Sequence, residues 1–265
     1  MNRFSVKWYL LLLVLALYAC TKVINVNLND ASPQIVIEGI ITNNPGPYQV
    51  QITKTVNFSA SNTYPPVTGA VVKITDNVFA TTDVLSETSP GVYTTHIVQG
   101  IPGHSYQLNV VTGGQTYTAS SVMPQPVTLD SVSFQHTNRF SKLDISAVPN
   151  FQDPIGIKNY YSFAQYVNSK NLKTTVVFDD RLSDGKYISI AIRNDSSYIS
   201  IGDTVLLKMN CIDKSTYDYF YTFTQVSGNN NFQSASPSNP VSNISNNALG
   251  YFSAYTTQSK KVIAK

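Results

Sequence analysis

Apolar and polar residues alternate in short runs along most of this chain. Tyr48, Val50 and Ile52 fall on one face of a strand whose other face carries Gln49, Gln51 and Thr53. Ala70, Val72 and Ile74 repeat the pattern around Lys73, and Tyr106, Leu108 and Val110 repeat it again. Turn signals punctuate these runs: Asn44-Pro45-Gly46-Pro47, Ser89-Pro90-Gly91, Pro102-Gly103 and Gly113-Gly114. The last of these separates two strands by two glycines and predicts a tight hairpin. Short strands at this spacing from Gln34 to Val122 predict a β-sandwich or a small barrel.

Met123-Pro124-Gln125-Pro126 breaks the pattern, because two prolines hold the backbone extended and cannot continue a central strand. Further strands are expected at Leu129–Gln135, Leu143–Val148, Tyr160–Val167, Tyr187–Arg193, Val205–Cys211 and Leu249–Tyr255. Between the last two, the period changes. Tyr219, Phe223 and Val226 recur at i, i+4 and i+7, which predicts a helix near 215–227 with Ser215 as its N-cap and Asp218 at N3. Tyr217, Phe220 and Tyr221 widen its apolar arc, so an aromatic strand is the alternative. Such a helix either packs on a sheet or walls a ligand groove. The expected fold is therefore all-β: a sandwich at 34–124, then a β-rich domain at 127–265 carrying one short helix. The polar stretch Asn57–Pro66 reads as a long loop, either a connector or a place for binding residues. The lysines 260, 261 and 265 read as a solvated tail.

The N-terminus follows neither period. Arg3 and Lys7 precede an uncharged run, Trp8–Tyr18, of signal-peptide length and too short to span a bilayer as a helix. It ends at Leu17-Tyr18-Ala19-Cys20, which resembles the lipobox of bacterial lipoproteins. The expectation is a signal peptide at 1–19, lipidation of Cys20, and a tether at 20–33; the alternative is ordinary secretion with cleavage near Ala19 and a free thiol. Without the leader, 246 residues remain, with 16 basic and 15 acidic side chains. A near-neutral chain without a basic cluster has little reach toward a phosphate backbone, so no nucleic-acid partner is expected. If Cys20 is acylated, Cys211 has no partner and reads as a small buried hydrophobe.

The usual catalytic motifs are missing: no G-x-S-x-G, H-E-x-x-H, C-x-x-C or G-x-x-x-x-G-K occurs. His96 and His104 flank a Pro-Gly turn, and His136 stands beyond the proline boundary. The acidic run Asp179-Asp180-Arg181-Leu182-Ser183-Asp184-Gly185 reads as a turn first and as an oxygen-rich cation loop second. No catalytic residue, metal ligand or cofactor is assigned.

Several segments in order carry a resemblance: CTKVINVNLND after the leader, IVIEGIITN with GPYQVQITKT, PVTGAVVKITD, SPGVYTTHIVQGIPGHSYQLNV, FDDRLSDG, YDYFYTF and NPVSNISNNALGYFSAYT. Together they resemble the domain of unknown function 4249 family, found in lipoproteins of Bacteroidota, from about Cys20 to Tyr255. The resemblance implies an immunoglobulin- or prealbumin-like first domain, an outer-membrane lipid anchor, and association with TonB-dependent transporters. It implies no catalytic residues. Members commonly carry acids soon after the cysteine; here Asn25 and Asn27 stand there and the first acid is Asp30, which leaves the cell surface and the periplasmic face both open. The expected function is a non-enzymatic accessory that binds a ligand for such a transporter in nutrient uptake. The alternatives are a structural or adhesive envelope module and a cryptic hydrolase around His96 or His136.

Overall fold

The alternation of the first half becomes eight strands: β1 (Ile35–Thr42), β2 (Gln49–Lys54), β3 (Val71–Asp76), β4 (Thr81–Val84), β5 (Ser86–Ser89), β6 (Val92–Thr94), β7 (Ser105–Thr112) and β8 (Gln115–Val122). The second half adds β9 (Ser131–Arg139), β10 (Lys142–Gln152), β11 (Tyr160–Val167), β12 (Lys170–Asn171), β13 (Val176–Asp179), β14 (Tyr187–Ser189) and β15 (Thr204–Ile212), then helix α1 (Lys214–Ser227) and a last strand, β16 (Leu249–Ile263). This computed structural model describes residues 32–57, 63–139, 142–173, 176–193, 199–227 and 239–265. The leader, Cys20, Asn25 and Asn27 lie outside the described residues. The fold is all-β with one short helix.

Three sheets organise the strands. A nine-stranded sheet runs β12-β11-β15-β16-β1-β2-β6-β5, with β13 also paired to β11; the others are β4-β3-β7-β8 and β14-β10-β9. The four-stranded sheet closes a first core against one end of the large sheet. Val72, Ile74, Leu108 and Val110 meet Ile37, Ile41, Val50, Ile52 and Phe252 there, all buried. These are the inward positions of the alternating runs. The three-stranded sheet closes a second core against the other end, where Ile145, Ala147 and Phe151 meet Tyr161, Phe163, Leu207 and Met209. The two glycines between β7 and β8 both have positive φ, 56° and 73°, which only a residue without Cβ adopts at little cost.

The prolines at 124 and 126 fall where the chain changes core: Met123 is buried in the first and Val127 in the second. The assignment of 127–265 wholly to the second half is corrected by the last strand. Ile244, Ala248, Phe252 and Ala254 are buried in the first core, whereas Val262 and Ala264 pack in the second. β16 pairs parallel with β1 over Leu249–Tyr255 and antiparallel with β15 over Thr256–Ile263. Lys260 and Lys261 are consequently ladder residues opposite Leu207 and Leu206, so that stretch is strand and not tail, with Lys261 still exposed to solvent. Pro33–Lys265 forms one compact unit.

The helix begins two residues earlier than Ser215 suggested. Asp213 is the cap: its Oδ1 accepts from Thr216 N (2.9 Å) and from the Ser215 hydroxyl (3.0 Å). Its Oδ2 accepts from the Ser121 hydroxyl at 2.7 Å, fixing the helix start to β8. α1 lies on the face of the large sheet opposite the cores. Tyr219 and Phe220 stack on Tyr251 with ring centroids 4.8 and 4.9 Å apart, and the Thr216 hydroxyl donates to Ser253 at 2.9 Å.

Candidate functional site

A groove of about 490 Å³ opens beside this helix. Its floor is the outward face of the β2-β1-β16 region: Val36 and Glu38, Thr53, and Leu249 with Gly250. Its walls are Tyr219, Phe223 and Val226 of α1, Tyr64, and the Asn239-Pro240 turn. The i, i+4, i+7 set that announced the helix is therefore its groove-facing set. Phe223 and Val226 remain 41% and 44% exposed, so this apolar stripe is only partly spent on packing.

Each wall has a local cause. Gly250, at φ 94°, lets β16 approach β1 so closely that a Cβ there would stand 2.1 Å from the Ile37 carbonyl oxygen. The loop after Asn57 returns along β2, where Lys54 N donates to Pro65 O and Val67 N to Ile52 O, both at 2.9 Å. That return places Tyr64 at the groove rim, 54% exposed. Residues 58–62 of the same loop lie outside the described residues.

Glu38 is the single charged side chain among the described residues lining the groove. It stands opposite Tyr251 in the β1–β16 register and opposite Gln51 in the β1–β2 register. Its carboxylate is accessible from the groove mouth, yet the apolar surroundings strip part of its hydration and raise its pKa above the ordinary carboxylate value. Burial raises Tyr219 and Tyr251 as well, and the neighbouring Glu38 charge adds to both. Sequence reasoning missed Glu38; its one signal is an acid at the centre of the apolar strand IVIEGII.

The acidic run is rearranged by the fold. Asp179 pairs with Arg181 at 2.8 Å, and its place beside Asp180 and Asp184 is taken by Asp153, with oxygens of the three within 4.8 Å of one another. Each carboxylate is engaged by protein donors. Asp153 accepts from the Tyr161 hydroxyl (2.5 Å) and Gly185 N (3.0 Å), and Asp184 from Gly156 N (2.8 Å). Asp180 accepts from Asn159 N (2.7 Å) and pairs with Lys158. These bonds clamp the 153–159 loop to the 179–186 turn, which accounts for the cluster without an ion.

The histidines are engaged separately. His96 Nε2 lies 2.9 Å from Ser86 Oγ, His104 Nδ1 is 2.8 Å from Asp76, and His136 Nε2 is 2.7 Å from the Lys265 carbonyl. The Ser86–His96 pair is exposed, and the two carboxylates near it in sequence are engaged by backbone amides: Asp83 accepts from His96, Ile97 and Val98, and Glu87 from Gly69 and Gly91. Cys211 is buried in the second core as expected, its sulfur accepting from Val127 N at 3.3 Å and its thiol pKa raised by burial.

No curated protein matches the sequence. Residues 21–261 match the model of the domain of unknown function DUF4249. With the match spanning nearly the whole chain, the protein belongs to the DUF4249 family.

Proposed function

We propose that this protein is a non-enzymatic outer-membrane lipoprotein that binds a ligand in the groove beside α1 and works with a TonB-dependent transporter in nutrient uptake. The observation that carries the reading is the groove. It has the volume of a small-molecule site, mostly apolar and aromatic walls, and few polar groups, the composition from which such sites are built. Its described walls come from a helix, a sheet and a returning loop.

The anchor supports the same reading. Cys20 stands at the lipobox position, and acyl chains contribute about 0.8 kcal/mol per buried CH₂, which makes a multiply acylated cysteine a lasting attachment. Fully extended, the 20–33 tether reaches about 50 Å, so Val36 at the groove stays close to the bilayer and to any barrel embedded in it. The separate engagement of the three histidines supports binding over catalysis.

Cross-linking in intact cells followed by solubilisation tests the partnership. The lipidated chain is expected to carry a β-barrel transporter with it, and Cys20→Ala to lose both the membrane and that partner. Recovery of the lipidated chain with no β-barrel attached would overturn the proposal.

A further inference from the structure

Glu38 is the one charged side chain on the described lining of an aromatic-walled groove, it is open to solvent at the mouth, and no described residue supplies it with a counter-charge. Glu38 makes no hydrogen bond or ion pair there, and burial is the single cause acting on its titration. The groups that face it are neutral at pH 7: Tyr219 from α1, Tyr251 from β16, Gln51 and Thr53 from β2, and Tyr64 from the returning loop. The sequences of the flanking segments 58–62 and 228–238 hold no charged residue either.

A stability role does not explain this residue. A carboxyl whose pKa is raised in the folded state contributes most to stability when protonated, below its unfolded value, and that contribution is lost as pH rises through the raised value. At neutral pH the charged Glu38 therefore adds nothing to the fold, and its exposure keeps the cost of its charge small. Val36 and Ile40 share its face of β1, and an apolar or amide side chain would fill the same position without that cost.

We propose that the groove selects an organic cation: an ammonium group on an apolar or aromatic body, with the cation against Glu38 and the body against Tyr219, Phe223, Val226 and Tyr64. This rests on the groove being the ligand site. Aromatic faces attract cations through the ring quadrupole, and a partly desolvated carboxylate adds the charge complement that sets orientation. Neutral and anionic nutrients of the same size are discriminated against, since they would leave the carboxylate stripped of water and unpaired, or set a like charge beside it.

Calorimetric titration of the full chain in non-ionic detergent tests this with three probes: benzyltrimethylammonium, its neutral isostere neopentylbenzene, and phenylacetate. The expected order is cation first, the isostere about tenfold weaker, and phenylacetate not binding. In Glu38→Gln the cation should fall to the level of the isostere, with isostere affinity unchanged and thermal stability at pH 7 equal to or above wild type. In the wild type, cation affinity should drop as pH falls through the raised pKa of Glu38, while isostere affinity stays flat. Equal binding of cation and isostere, or an unchanged preference in Glu38→Gln, would overturn the cation inference while leaving the groove as a binding site. Binding of none of the three would overturn the inference too, and the transporter cross-link then decides separately on the proposed function.

Discussion

Asp213 does two jobs with one carboxylate. It caps α1 through Thr216 N and ties the helix start to β8 through the Ser121 hydroxyl and Val122 N. Ser121 in turn accepts from Ala254 N, so the cap reaches the strand that carries both cores. Asp213→Ala removes the cap and leaves the Ser121 hydroxyl without its acceptor. The expected loss is about 2 kcal/mol, the upper end for a cap because a buried partner is orphaned as well. Urea unfolding of the variant checks it, and an unchanged midpoint would show that another group caps the helix. Neither Asp213 nor Glu38 was legible beforehand as a key residue. Ser215 has the capping chemistry and a plausible N3 acid, but the cap is chosen by which side chain also meets β8, and sequence does not display that neighbour. Glu38 was visible as an oddity, an acid in an apolar strand, but its role depends on a helix more than 170 positions away in the sequence.

At the level of elements, local periodicity was the reliable guide. β7, β11 and the Gly113-Gly114 hairpin stand where alternation and turn chemistry put them, because each pairs with a strand close in sequence: β7 with β8, and β11 with β12 and β13. β16 shows where that guide stops. Its pattern predicts a strand at Leu249–Tyr255, but no local signal shows that it continues through Lys260 and Lys261 or that it pairs parallel with β1. Parallel pairing over such a separation is decided by long-range packing. β16 places Phe252 in the first core and Val262 in the second, so it couples them mechanically. The expected outcome is a single cooperative unfolding transition in calorimetry, displaced as one by Val262→Asp. Two separable transitions, with only the later one responding to that substitution, would mean that the cores fold independently.

For the molecule as a whole, one long sheet serves two opposite purposes. Its inner face is consumed by two cores, and among the described residues its outer face carries a single helix of 14 residues, too short to cover it. The uncovered remainder beside the helix is the groove. This explains why Phe223 and Val226 are apolar yet 41% and 44% exposed: the helical set was read from the sequence as a packing stripe or a groove wall, and it serves as both, with Tyr219 packed on Tyr251 and the other two lining the groove. Sequence could pose that choice without resolving it, because the width of the sheet under a helix is a tertiary property. An apolar patch kept open next to a charged floor costs solubility and stability, and function is the ordinary reason for keeping one.

The most direct measurement is native mass spectrometry of the full chain purified gently from its own cells, compared with Val226→Trp. Val226 is 44% exposed and belongs to neither core, so the indole should fill the groove without disturbing either. The account predicts one small molecule bound to the wild type and absent from Val226→Trp, with both proteins equally folded by circular dichroism. A wild type carrying nothing, or a ligand retained equally by Val226→Trp, would contradict it.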